Sequence, residues 1–297
     1  MASLPRWSAE CVLDARALLG EGPTWWAETN RLLWVDIEAN RVGLFDVETR
    51  DNRWLDLGSM VGCVVPTERG DLLVACANGF HRLDPSSGQL TALHDPERHQ
   101  PLNRFNDGKC DPWGRFWAGS MAMDFTPGAG ALWCLEPSLQ SRCLVPNLSI
   151  SNGLAWDLEA SCLYLIDSPS LQVVAYPITP GGELAGPARI CLQIPADWNA
   201  LPDGMTIDQE GMLWIALYGG SAVTRWNPKT GDCIGIVDLP CTQITSCCFG
   251  GPSLDRLFIT TARRGLGTEA CAQQPLAGGL FCADVGVCGP AADRFAG

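Results

Sequence analysis

Apolar and polar residues alternate along almost the whole chain, interrupted every few positions by Gly, Asn or Asp. A two-residue period marks a half-buried strand, and no long segment follows the 3.6-residue period of a helix. The alternation is itself repeated. RLLWVDIEANRVGLFDVETR from Arg31, GDLLVACANGFHRLDPSSG from Gly70, and GRFWAGSM from Gly114 with GALWCLEP from Gly130 share one frame: strand, turn, strand. The frame returns in SCLYLIDSPSLQVVAYPI from Ser161, GMLWIALYGGSAVTRWNPKTG from Gly211, and DRLFITTARRG from Asp255 with GGLFCADV from Gly278. Taking Arg31, Asp71, Arg115, Cys162, Met212 and Arg256 as equivalent gives steps of 40, 44, 47, 50 and 44 residues.

Six units of this length, rich in branched and aromatic strands, predict an all-β, six-bladed β-propeller with four-stranded antiparallel blades around a central channel. A β-sandwich with extra strands would leave the six-fold repeat unexplained. The whole chain, 1–297, is expected to form one domain. Its last unit holds too few strands for a blade, and AECVLD from Ala9 is expected to supply the outer one and cover the free edge.

Each repeat is preceded by a small or polar residue nine or ten positions ahead of its marker: Glu21, Gly62, Asn106, Asn152, Asp203 and Ser246. In a propeller these positions form a ring at the axis. Taken singly, each reads as a turn residue capping a strand end. In register, Glu21, Asn152 and Asp203 bring two carboxylates and an amide oxygen to one point, where they repel unless a cation lies between them. All-oxygen ligation favours Ca²⁺, Mg²⁺ or Mn²⁺, and Zn²⁺ also accepts carboxylates. Gly22, Gly153 and Gly204 follow the three, which allows close backbone approach or a positive φ.

Composition narrows the functional classes. The net charge of −13 disfavours nucleic acid as a partner. No apolar stretch approaches the roughly 20 residues that span a bilayer. The opening segment lacks a basic region followed by an uninterrupted apolar run, so a secretory leader is not expected. Fifteen cysteines without a CxxC pair read as reduced core thiols in a cytoplasmic protein. The tryptophans read as core, and the three histidines, His81, His94 and His99, as surface residues. A GxSxG elbow, an HExxH helix and a phosphate-binding P-loop are all missing.

The segments GEGPTWW, LLWVDIEANRV, NRFNDGKCDPWGRFWAGSM, ISNGLAWD, PDGMTIDQEGMLW, TSCCFGG and ARRGL, in that order, resemble the regucalcin (senescence marker protein)/gluconolactonase family, and the animal regucalcin branch in particular. The resemblance implies one divalent metal on the propeller axis and hydrolysis of sugar lactones, such as D-glucono-1,5-lactone to gluconate. Carried over by position, Glu21, Asn152 and Asp203 match the metal ligands, and Arg104 and Asn106 the substrate-binding pair. Asp203 is the expected catalytic group, orienting or deprotonating the attacking water. Asp124 stands where the family has a glutamate that contacts sugar hydroxyls, one methylene shorter, and the loop FTPGAGALW after it is short. That departure bears on substrate preference rather than chemistry. The expected partner is a small sugar lactone, with no nucleic acid or membrane, and the expected state is a monomer. The alternative function is that of a calcium-binding regulatory protein without significant turnover.

Overall fold

The computed structural model describes residues 4–297 as six antiparallel sheets arranged as the blades of a propeller. The inner strands of blades 1 to 6 are Gly20–Trp26, Val61–Pro66, Asn103–Cys110, Ser151–Asp157, Leu201–Ile207 and Ile244–Gly250. The second strands are Arg31–Asp36, Leu72–Cys76, Phe116–Ala122, Cys162–Asp167, Leu213–Tyr218 and Arg256–Thr261. Both sets are buried on both faces, which accounts for their near-continuous runs of branched and aromatic residues. The indoles of Trp34, Trp117 and Trp214, on the second strands of blades 1, 3 and 5, are fully buried between sheets.

One irregularity recurs in all six blades. Every inner strand slips register against its neighbour: between Glu21 and Thr24, Val61 and Cys63, Phe105 and Gly108, Asn152 and Leu154, Pro202 and Met205, and Ile244 and Ser246. A β-bulge increases local twist and re-aims the side chain at the extra residue. Here the ring residues sit at or beside those bulges, so the repeat carries its candidate site positions in its own backbone irregularities.

The closure involves both ends of the chain. Glu10–Leu13 pairs antiparallel with Leu280–Asp284 and completes blade 6 as its outer strand. Ahead of it, Arg6–Ser8 adds in parallel to the outer strand of blade 5, Asp232–Asp238, which the repeat pattern did not announce. At the other end, Phe295 bridges to Thr67 and is fully buried among Val65, Phe116 and Leu135. The segment Thr268–Gln273 is a short helix between the last two strands of the sheet. Among the histidines, His94 and His99 are exposed, but His81 is buried on the third strand of blade 2, against the expectation of a surface position. Its strand packs between sheets, and its Nδ1 lies 3.0 Å from the Gly79 carbonyl oxygen.

Truncating a fully buried aromatic costs about 3–5 kcal/mol. Phe295→Ala is therefore expected to lower unfolding free energy by about 3 kcal/mol or more, measured by denaturant titration with an unchanged slope. A loss below about 1 kcal/mol would mean that the C-terminal segment does not clamp blades 2 and 3.

Candidate active site on the propeller axis

Two cavities open at the ends of the central channel. The larger, of about 370 Å³, lies where the inner strands end and is bordered by the segment Pro290–Asp293. Several of its polar side chains already have partners. Asp208 accepts from the Trp214 indole and the Arg225 guanidinium, Asp157 accepts from the Ala160 amide, and the Lys109 ammonium donates to the Leu154 and Met205 carbonyls.

The smaller cavity, of about 190 Å³, lies at the opposite end, where the inner strands begin, and holds the unusual chemistry. Its volume is below the 300–1,000 Å³ of drug-sized ligand sites and suits a monosaccharide. Glu21, Asn106, Asn152 and Asp203 line it from four inner strands, together with Arg104. All five are buried. Gly62 and Ser246, the remaining ring positions, do not reach it: a Cβ on Gly62 would meet the Phe105 carbonyl, and Ser246 packs against Gly204.

The glycines beside the carboxylates act in two ways. Gly22 has φ +50, a left-handed conformation that other residues adopt at a cost. Gly153 and Gly204 are required by crowding instead. A Cβ on Gly204 would lie 2.0 Å from Ser246 Oγ, and one on Gly153 would lie 2.5 Å from Met205 Cβ. Adjacent blades therefore touch backbone to side chain at the axis, and this brings side chains far apart in sequence into one small space.

Hydrogen bonds fix the amides. Asn152 donates from Nδ2 to Ser168 Oγ at 2.8 Å, which leaves its Oδ1 turned inward. That oxygen accepts from Asn106 Nδ2 at 3.0 Å. Asn106 also donates to the Ser151 carbonyl and accepts from Arg104 Nη1 at 2.8 Å, so protein groups already engage both ends of its amide. Arg104 Nη1 donates to the Phe105 carbonyl as well, and among the described residues no carboxylate pairs with this guanidinium.

The carboxylates are not compensated in the same way. Burial, followed by the charges of Asp203 and Asp107, pushes Glu21 well above the usual carboxylate range. Burial and the charge of Asp107 do the same to Asp203, and Arg104 and the Asn152 amide offset the rise only in part. Asp107 sits within the bulge of blade 3. Its Oδ1 accepts from the Gly108 amide at 2.7 Å, and its Oδ2 is buried without any partner. Sequence reasoning passed over Asp107, although it is adjacent to Asn106 in NRFNDGK. It also passed over Tyr218, at the end of the second strand of blade 5, and Arg264, in the turn after the second strand of blade 6, both of which line the cavity.

This donor set fits a hard divalent cation. Three buried carboxyl groups lie within electrostatic reach of one another, one of them with an orphaned oxygen; the Arg104 guanidinium and the Lys109 ammonium offset part of their charge, and Arg264 also lines the cavity. Among the described residues no three His, Cys, Asp or Glu side chains are arranged about one point, so the candidate ligands are two carboxylates and the Asn152 amide oxygen. A thiolate alternative is weak: burial pushes the neighbouring Cys247 thiol up to about 12.

Asp124 lies elsewhere. It is exposed, it does not border the cavity, and its Oδ1 accepts from the Thr126 amide at 3.0 Å and from the Thr126 hydroxyl at 2.8 Å. These bonds hold its carboxyl below the usual range. Phe125, at φ +62, borders the cavity in its place.

A six-bladed propeller with a polar, carboxylate-lined pocket on its axis is one class of protein, and the comparisons with known proteins agree with it. Residues 19–263 match the model of the SMP-30/Gluconolactonase/LRE-like region, and the chain belongs to that family. It is 39% identical to regucalcin of Danio rerio over 92% of each chain. It is 37% identical, over 96% of its own length and 97% of the other's, to a Bacillus subtilis protein, YvrE, provisionally named a sugar lactone lactonase. The solved structure of a calcium-binding protein, regucalcin, from Agrobacterium tumefaciens superposes with a TM-score of 0.94 at 25% identity, covering 99% of both chains. Among the described residues no helix is long and apolar enough to cross a membrane.

The raised carboxylates give a pH-dependent expectation. In the folded state Glu21 and Asp203 hold protons that the unfolded chain, with carboxylates near pKa 4, has released. The stability of chelator-stripped protein therefore falls as pH rises above about 4 through the raised values. A cation that replaces those protons should increase Tm more at about pH 8 than at about pH 5. Equal gains at both pH values, or no gain with any ion, would contradict a cation site at these residues.

Proposed function

We propose that the protein is a divalent-metal-dependent sugar-lactone hydrolase of the gluconolactonase type. The observation that carries this reading is the conjunction, in one cavity of monosaccharide size, of uncompensated Glu21 and Asp203 with an unpaired Arg104. A protein that only bound a cation would have no use for the guanidinium N–H groups left without a partner in the cavity.

Glu21, Asp203 and the inward Oδ1 of Asn152 would hold the ion. When bound, it would supply Lewis-acid stabilisation of the charge that develops on the lactone carbonyl oxygen. The chain's own residues do the rest. Arg104, fixed through Nη1, has its remaining N–H groups free for ring and hydroxyl oxygens. Asn106 acts chiefly by holding Arg104 and Asn152 in place, since protein groups occupy both ends of its amide. Ionised Asp203 takes a proton from water as the water oxygen attacks the carbonyl carbon. The ring C–O bond then breaks, and the same proton passes to the departing alkoxide, giving the open hydroxy acid.

Asp203→Ala should reduce the catalysed hydrolysis of D-glucono-1,5-lactone, followed as acid release above the spontaneous rate in the presence of Ca²⁺, Mn²⁺, Zn²⁺ or Mg²⁺, by about 10²-fold or more. Wild-type protein that binds an ion yet turns over no lactone in a panel would favour the calcium-binding regulatory alternative. Full activity in the variant would remove Asp203 from the mechanism.

A further inference from the structure

The cavity carries both signs of charge. Glu21 and Asp203 line it, and so do Arg104 and Arg264, each of which lacks a partner for part of its guanidinium. Arg104 is 7% exposed and forms no ion pair among the described residues. Arg264 is half-buried. Its Nε lies 2.5 Å from Glu38 Oε1, and its guanidinium carbon stands 5.3 Å from the centroid of the Phe125 ring. Neighbouring Arg263 turns away and donates to the Cys271 sulfur, so of this pair Arg264 alone faces the cavity. Meanwhile the carboxylate expected to meet sugar hydroxyls, Asp124, is turned into its own loop by Thr126.

We propose that Arg264 and Arg104 form a clamp for an anionic substituent, and that the preferred substrate is a lactone bearing a carboxylate or phosphate away from the ring carbonyl. The proposal rests on the lactone-hydrolase reading and specifies its substrate class. Two like charges facing one small space repel, and a substrate anion relieves that repulsion. Planar guanidinium groups match the paired oxygens of carboxylate and phosphate, which a neutral aldonolactone does not offer. Phe125 stacks under Arg264 and limits its swing. Glu38 neutralises part of the Arg264 charge and so sets how strongly the clamp pulls. The Asp124 carboxylate, which would repel such a substituent, is kept outside.

The test compares kcat/KM for D-glucono-1,5-lactone, D-glucaro-1,4-lactone and 6-phospho-D-glucono-1,5-lactone in metal-loaded protein, with calorimetric binding of D-gluconate and D-glucarate alongside. At least one anionic lactone should exceed the neutral one about tenfold, mainly through KM, and which of the two gains more identifies the substituent. Arg264→Ala should reduce that preference about tenfold, and Glu38→Gln should increase it, so a misfolded alanine variant does not end the test. Equal or better use of the neutral lactone, or a preference that neither variant moves, would overturn the clamp. If no lactone is hydrolysed but D-glucarate still binds more tightly than D-gluconate in an Arg264-dependent way, the hydrolase reading fails and the clamp stands. If glucarate shows no preference either, both fall.

Discussion

The constraint on which this structure turns is the burial of negative charge at its centre. Glu21, Asp107 and Asp203 are removed from water within reach of one another, and each is pushed toward its protonated form. Removing a carboxylate from water costs several kcal/mol unless something opposes its charge. Arg104 and Lys109 oppose it only in part. A site that is electrostatically unfavourable as it stands, and still built with oxygen donors fixed by hydrogen bonds, is the feature from which we propose a cation site.

The fold tolerates this arrangement because the surrounding framework is closely packed. Four of the six bulges aim inner-strand side chains into the axial cavity, and glycine at positions 153 and 204 lets neighbouring blades close without a gap. The outer shell locks the ring. The N-terminal strands complete blade 6 and extend blade 5, and the buried Phe295 ties the C-terminus to blades 2 and 3. Strong packing at the rim holds an unfavourable centre in place, which is how functional strain commonly persists.

Much of this was legible in the sequence, for a physical reason. A propeller repeats its backbone, so equal offsets from equivalent strands put Glu21, Asn106, Asn152 and Asp203 at equal heights in the channel. The six blades and the closing strand at Glu10–Leu13 follow from the same regularity. What escaped lies where repetition ends. Asp107 hides beside Asn106 inside a two-residue bulge, and register there cannot be counted from spacing. Tyr218 reaches the cavity from the end of a second strand and Arg264 from the turn after one, places that a count of inner-strand offsets does not sample. The direction of Asp124 depends on two short bonds to Thr126, a choice local to its loop. The parallel strand at Arg6–Ser8 and the seat of Phe295 are terminal additions outside the repeat.

The most direct test of the account is anomalous diffraction from crystals of the wild-type protein loaded with Mn²⁺. One strong peak within coordination distance of Glu21, Asn152 Oδ1 and Asp203, weakened or absent in Asp203→Ala, is the predicted result. An empty axis in the presence of millimolar Mn²⁺, or a peak held by other residues, would contradict it.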